Sequence, residues 1–238
     1  MTETPPIEVG FLTFPNVQQL DLTGPYETLA SWPGARVRLV WKTLDPVRAS
    51  TGLVLTPDAT FETIGPLDVI CVPGGAGINP LLADEETLAF LRAQAQGARF
   101  VASVCTGALV LGAAGLLVGK RATTHWASHH LLAPFGAIPV KQRYVRDGRV
   151  MTGGGVTAGI DFGLALLSEL AGRATAEAIQ LNLEYAPAPP FDAGDPDTAP
   201  RAVAQAVEAR LAPMIAERAR LVAEAARRLG LDAETARR

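Results

Sequence analysis

Five short apolar runs recur along the chain: IEVGFLTF (7–14), VRLVW (37–41), LDVICV (67–72), RFVASV (99–104) and RVMTG (149–153). Each has the length and composition of a strand buried on both faces. Helix-forming stretches lie between several of them. The clearest is DEETLAFLRAQAQG (84–97), where Asp84 suits the N-cap, Glu85 and Glu86 suit the positive end of the helix dipole, and Gly97 suits its end. Further helices are predicted after Thr23, Cys105, Thr124 and Thr157. Parallel neighbours need crossover connections and bury both sheet surfaces, so this alternation predicts an α/β fold: a mainly parallel sheet with helices on both faces.

The 238 residues, 48% of them hydrophobic, are enough for one large core. We assign 1–185 to the α/β domain. APAPPFDAGDPDTAP (186–200) is too proline-dense to continue a helix and reads as a strap. Residues 201–238 are rich in Ala, Arg, Glu and Leu and read as a helical extension, with a kink or break expected at Pro213. Such an extension needs a surface to pack on, either its own domain or a second copy.

Phe100–Gly119 carries no charged side chain over 20 residues, about the length of a membrane span. Four glycines interrupt it, and its two halves differ in character, so a buried strand followed by a buried helix is expected instead. The first ten residues, MTETPPIEVG, lack the pattern of a signal peptide. With 21 basic and 24 acidic residues interspersed, the chain offers no broad positive field for nucleic acid or an anionic membrane. A small neutral substrate, a reducing cytoplasm and two unpaired thiols fit this composition.

Ligands of open parallel sheets bind beyond the carboxyl ends of the strands. Three loops rich in glycine and small residues belong there: PGGAG (73–77), CTG (105–107) and GGGVTAG (153–159). Glycine either closes a tight turn or lets backbone N–H groups approach a ligand. Cys105 stands between a strand and a helix, with Ser103 and Gly107 two residues to either side, as in a nucleophile elbow. Such a thiol is expected to be accessible, with its pKa depressed by the helix start. Cys71, inside an apolar strand, reads as core. Asp21 follows the first strand and is either a turn or capping residue or a carboxylate able to exchange a proton with Cys105. His125 and His129 share a helical face by spacing, but without a zincin glutamate or a third ligand.

FLTFPNVQQLDLTGP (11–25), LDVICVPGG (67–75), SVCTGALVLGAAGLL (103–117), GKRATTHWA (119–127), GGGVTAGIDF (153–162) and LEYAPAPPFDAGDPDTA (183–199) together resemble the ThiJ/PfpI superfamily, whose fold is flavodoxin-like and glutamine-amidotransferase-like. Within it the likeness is to isocyanide hydratases. The resemblance implies Cys105 as nucleophile, Asp21 as active-site carboxylate and Thr106 as the neighbour that orients the site. Gly75, Thr106 and Gly154 are the implied backbone N–H donors to substrate. It also implies a homodimer needing no metal or organic cofactor.

Other members of the superfamily fit less well. A PfpI-type peptidase is expected to carry histidine directly after the cysteine, where Thr106 stands, and the His-x-Glu of glutamine amidotransferases is absent. The ligand-sensing domain of AraC-type regulators shares the cysteine elbow, but residues 201–238 are too few for a pair of helix-turn-helix modules. The alternatives are a stand-alone sensor or chaperone, or another ThiJ/PfpI activity.

Overall fold

The computed structural model describes residues 5–231. The chain opens with strand β1 (Ile7–Leu12), helix α1 (Gln19–Ala30) and strand β2 (Ala35–Trp41), followed by two-residue strands β3 (Val47–Arg48), β4 (Val54–Leu55) and β5 (Ala59–Thr60). Next come β6 (Val69–Val72), α2 (Ile78–Leu81), α3 (Glu85–Gly97), β7 (Phe100–Val104) and α4 (Gly107–Ala113). The segment after α4 holds β8 (Arg121–Ala122), two 3-10 turns, β9 (Ile138–Pro139), β10 (Tyr144–Asp147) and β11 (Val150–Gly153). Three helices complete it: α5 (Ala158–Ala171), α6 (Arg173–Asn182) and α7 (Arg201–Arg228).

Seven strands form the main sheet in the order β10-β11-β7-β6-β1-β2-β5. All its pairings are parallel except β10 with β11, which closes one edge as an antiparallel hairpin. Both faces are covered, and strand alternation divides the core. On β6, Val69 and Cys71 join Phe11, Leu22, Leu29 and Phe162 on the face covered by α1 and α5. Ile70 and Val72 join Leu88, Leu91, Leu109 and Val222 on the opposite face. Cys71 is therefore a fully buried core thiol.

The five predicted strands are present within one or two residues, and α3 ends at Gly97 as expected. Two local expectations are corrected, the start of α1 and the helix after Thr124. Helix α1 begins at Gln19 and not after Thr23, so Asp21 sits in its first turn. Asp84 holds the N-cap position as expected, and its Oδ2 also accepts the Thr87 hydroxyl at 2.8 Å and pairs with Lys42 at 2.6 Å. The segment after Thr124 is a 3-10 helix, Trp126–Leu131. Pro213 lies inside α7 without breaking it.

Residues 186–200 contain no helix or strand. Beyond them α7 packs on its own domain, burying Val222, Ala225 and Ala226. Arg228 fixes its far end by donating to the Leu82 carbonyl at 2.6 Å. The uncharged stretch Phe100–Gly119 is the buried pair β7 and α4, and among the described residues no helix is long and apolar enough to cross a membrane.

Candidate active site

β7 ends at Val104, and the chain reverses through Cys105, whose φ of 55° lies in the left-handed region that a side chain rarely occupies. The strain is held from three sides. The Cys105 N–H donates to the carbonyls of Gly153 and Gly154 at 3.0 and 2.9 Å, and the Thr124 hydroxyl donates to the Cys105 carbonyl at 2.7 Å. A backbone outlier costs about 1–3 kcal/mol and persists only where its surroundings over-determine it. The elbow also requires Gly107, because a Cβ there would stand 1.9 Å from the Val72 carbonyl oxygen.

Asp21 reaches the same point from the first turn of α1. Pro25, four residues on, has no N–H to return to the Asp21 carbonyl. The helix is nevertheless held close to α5: a Cβ on Gly163 would lie 2.1 Å from Thr28 Oγ1 and 2.9 Å from Pro25 Cα. Asp21 is fully buried. Its Oδ2 accepts the Gly74 N–H at 3.0 Å, its Oδ1 has no hydrogen-bond partner among the described residues, and the Cys105 thiol is the side chain that acts on its ionisation. Burial raises the Asp21 pKa from the ordinary 3.8 to about 7, against the opposing pull of the Cys105 thiol and the Gly74 N–H.

The cysteine departs from expectation. Cys105 is only 5% exposed. Burial pushes its thiol well above the usual range, and the Asp21 charge pushes the same way; the N–H groups of Thr106 and Val156 pull it down. Desolvation outweighs the helix start, and α4 is short. Asp21 and Cys105 thus form a coupled pair in which ionising one opposes ionising the other.

The neighbouring N–H groups are placed unequally. Gly75 (φ +127°) gives its N–H to Thr106 Oγ1 at 3.1 Å, and Gly154 gives its N–H to the Arg143 carbonyl at 2.9 Å. The backbone N–H groups that favour the charged sulfur are those of Thr106 and Val156. Val156 escaped the sequence reading; the only signal was its place in the third glycine loop.

A cavity of about 310 Å³ opens over Cys105. Gly75, Thr106, His125 and Val156 form its floor and one side, while Val207, Leu211, Met214, Ile215 and Arg218 of α7 form the other. Its surface is predominantly apolar. His125 caps the first 3-10 turn through Nδ1, which accepts the Ala127 N–H at 3.3 Å. Its pKa is lowered by burial and by the charge of Arg218, so it is neutral at pH 7. His129 lies away from Cys105, in an adjoining cavity that His125 also borders. Among the described residues, no three His, Cys, Asp or Glu side chains gather to hold a metal.

The profile of the DJ-1/PfpI family matches residues 8–169, the stretch that carries Asp21, the elbow and all three glycine loops. The chain belongs to the DJ-1/PfpI family. Isonitrile hydratase of Pseudomonas putida is 66% identical over 209 residues, spanning 88% of this chain and 92% of that protein. A crystal structure of a ThiJ/PfpI family protein from Pseudomonas syringae is 43% identical, with a TM-score of 0.89 over 91% of this chain and 90% of that one. The HTH-type transcriptional regulator GbdR of Pseudomonas aeruginosa is 34% identical over 183 residues, 73% of this chain but 49% of the regulator. The family profile ends within α5, so α7 and its side of the cavity lie outside the DJ-1/PfpI signature.

Proposed function

We propose that the protein is an isocyanide hydratase, converting an isocyanide and water to an N-substituted formamide. The observation that carries this reading is the 66% identity to an isonitrile hydratase along nearly the full length of both chains. The site supports it chemically. A buried thiol, a carboxyl group poised near neutrality and an apolar cavity suit a small neutral substrate whose terminal carbon accepts both a nucleophile and a proton.

In the proposed cycle Cys105 transfers its proton to Asp21, giving a thiolate and a carboxylic acid. The thiolate attacks the terminal carbon of R–NC while Asp21 returns the proton to that carbon, forming the thioimidate R–N=CH–S–Cys105. Asp21, again a carboxylate, accepts a proton from water as the oxygen adds to the same carbon and delivers that proton to the nitrogen, returning to the carboxylate. The tetrahedral R–NH–CH(OH)–S–Cys105 then collapses to R–NH–CHO and the Cys105 thiol. Atoms and charge balance, and Asp21 serves as base and acid at each stage.

Thr106 and Val156 supply the N–H groups that steady the sulfur in this reading, and the Thr106 hydroxyl holds the Gly75 loop. Gly75 and Gly154 contribute through backbone bonds that set the elbow, with their own N–H groups already engaged. A cytoplasmic homodimer working without metal or organic cofactor belongs to the same proposal.

The likeness to GbdR favours one second reading, a stand-alone sensor in which Cys105 and the cavity bind a ligand without turnover. Incubating the protein with an alkyl or aryl isocyanide and following the formyl proton by NMR separates the two. Catalytic formamide formation, lost in Cys105→Ala, is the expected result. Binding without product in the native protein would support the sensor instead.

A further inference from the structure

Among the groups that line the cavity and that the reaction scheme leaves unused, one is a buried charge. Arg218, on α7, is 2% exposed yet carries a guanidinium. Its three hydrogen bonds go to neutral acceptors: Nε to Asn79 Oδ1 at 2.9 Å, Nη1 to Ser128 Oγ at 3.2 Å and Nη2 to the Gly75 carbonyl at 3.3 Å. Among the described residues no carboxylate forms an ion pair with it, although 11 such pairs exist elsewhere. A buried charge without a counter-ion is costly and is found where its partner arises during function.

We infer that Arg218 is a positioning residue that acts through Cys105, its buried and unpaired charge favouring the thiolate over the thiol. The inference rests on Cys105 being the nucleophile. Both residues line the same cavity, and Arg218 also grips the carbonyl of Gly75, whose N–H bonds Thr106 beside the sulfur. In the step Cys105–SH plus Asp21–COO⁻ giving Cys105–S⁻ plus Asp21–COOH, negative charge moves from the carboxylate to the sulfur. A cation on the sulfur's side of the pair draws that transfer forward.

The other titratable neighbours do not replace it. Asp21, from α1, opposes the thiolate. His125, from the loop before the first 3-10 turn, is held neutral in part by Arg218 itself. Arg210 lines the cavity from α7 but is exposed, where water screens its charge. Glu217 is exposed beside Arg218 and bonds Asn79 at 3.4 Å. Cys71 is a buried core thiol whose pKa is raised by burial.

The test reads the rate of Cys105 alkylation by iodoacetamide against pH, with peptide mapping and no isocyanide present. Arg218→Met, which removes the charge, should raise the midpoint by about one pH unit and slow alkylation at pH 7 about tenfold. Arg218→Lys should restore most of the reactivity. Asn79→Asp offers an independent route, because it sets an isosteric carboxylate against Arg218 Nε and compensates the charge while leaving the residue in place. Its midpoint should rise as well. A folded Arg218→Met, or Asn79→Asp should Arg218→Met not fold, whose midpoint stays within about 0.2 units of the native protein would overturn the assignment. That failure is distinct from absent isocyanide turnover, which bears on the hydratase reading alone.

Discussion

Asp21 and Cys105 shift each other's ionisation within one buried site, where the Gly74 N–H holds Asp21 Oδ2 at 3.0 Å and Oδ1 has no hydrogen-bond partner among the described residues, so the carboxyl proton is coupled to the thiol. Burial keeps that proton in play near neutral pH by raising Asp21 to about 7. The same burial makes the pair expensive to ionise, and several consequences follow from this one contact.

Asp21→Asn keeps the size and the ability to accept from Gly74 but removes the titrating proton. Isocyanide hydration should fall by two or more orders of magnitude, as expected for loss of a general acid and base. Stability should move the other way. The native carboxyl binds its proton up to about pH 7, whereas the unfolded one releases it near 3.8, so the native protein loses stability as pH rises between those values. Thermal melts should therefore show the Asp21→Asn variant gaining on the native protein across that window, by on the order of 2–4 kcal/mol at its top, with no further gain above it. A stability difference independent of pH would contradict the raised pKa.

Gly107→Ala tests the elbow without touching a reacting atom. Its new methyl would collide with the Val72 carbonyl 1.9 Å away, backbone that cannot step aside as a flexible side chain can. The variant should lose about 3 kcal/mol or more, a fall in Tm of roughly 6–12 °C. Calorimetry showing an unchanged melt would mean that the turn has room the geometry denies.

The two thiols should separate under limiting iodoacetamide. Cys105 borders the cavity, whereas Cys71 is sealed between β1 and β7 with its pKa raised by burial. Alkylation of native protein should appear at Cys105 first, with activity falling in proportion, and at Cys71 only after unfolding. Because burial has raised the Cys105 pKa, its reaction should accelerate as the solution becomes more alkaline. Peptide mapping that finds Cys71 modified first would reverse the assignment.

Much of this arrangement was legible because buried parallel strands must be apolar throughout: LDVICV and RFVASV could hardly be anything else. The edge strand β10, YVRD, carries no such pattern, since it is half-exposed and paired on one side only. Two-residue strands such as β8 and β9 depend on a distant partner and leave no local trace. At the site, Cys105 was marked by its small neighbours. Asp21 was found but misplaced, because nothing local shows that α1 starts at Gln19 and tolerates Pro25.

Arg218 was passed over as one of several arginines on a charged helix. A signal did exist: it interrupts the stripe Leu211, Met214, Ile215, Val222 and Ala225, which recurs at the spacing of one helical face. A charged residue on such a stripe is forced inward with its neighbours. What the sequence withheld was the destination of that face, the open side of the Cys105 cavity.

The central claim is that Cys105 bonds covalently to the isocyanide carbon, and rapid acid quench followed by intact-protein and peptide mass spectrometry tests it most directly. Protein mixed with excess isocyanide and quenched before the steady state should carry one added isocyanide mass on the Cys105 peptide. That adduct should form and decay at rates compatible with formamide release, and it should be absent from Cys105→Ala. Formamide turnover in Cys105→Ala equal to that of the native protein, with no adduct on the Cys105 peptide at any time, would contradict the account.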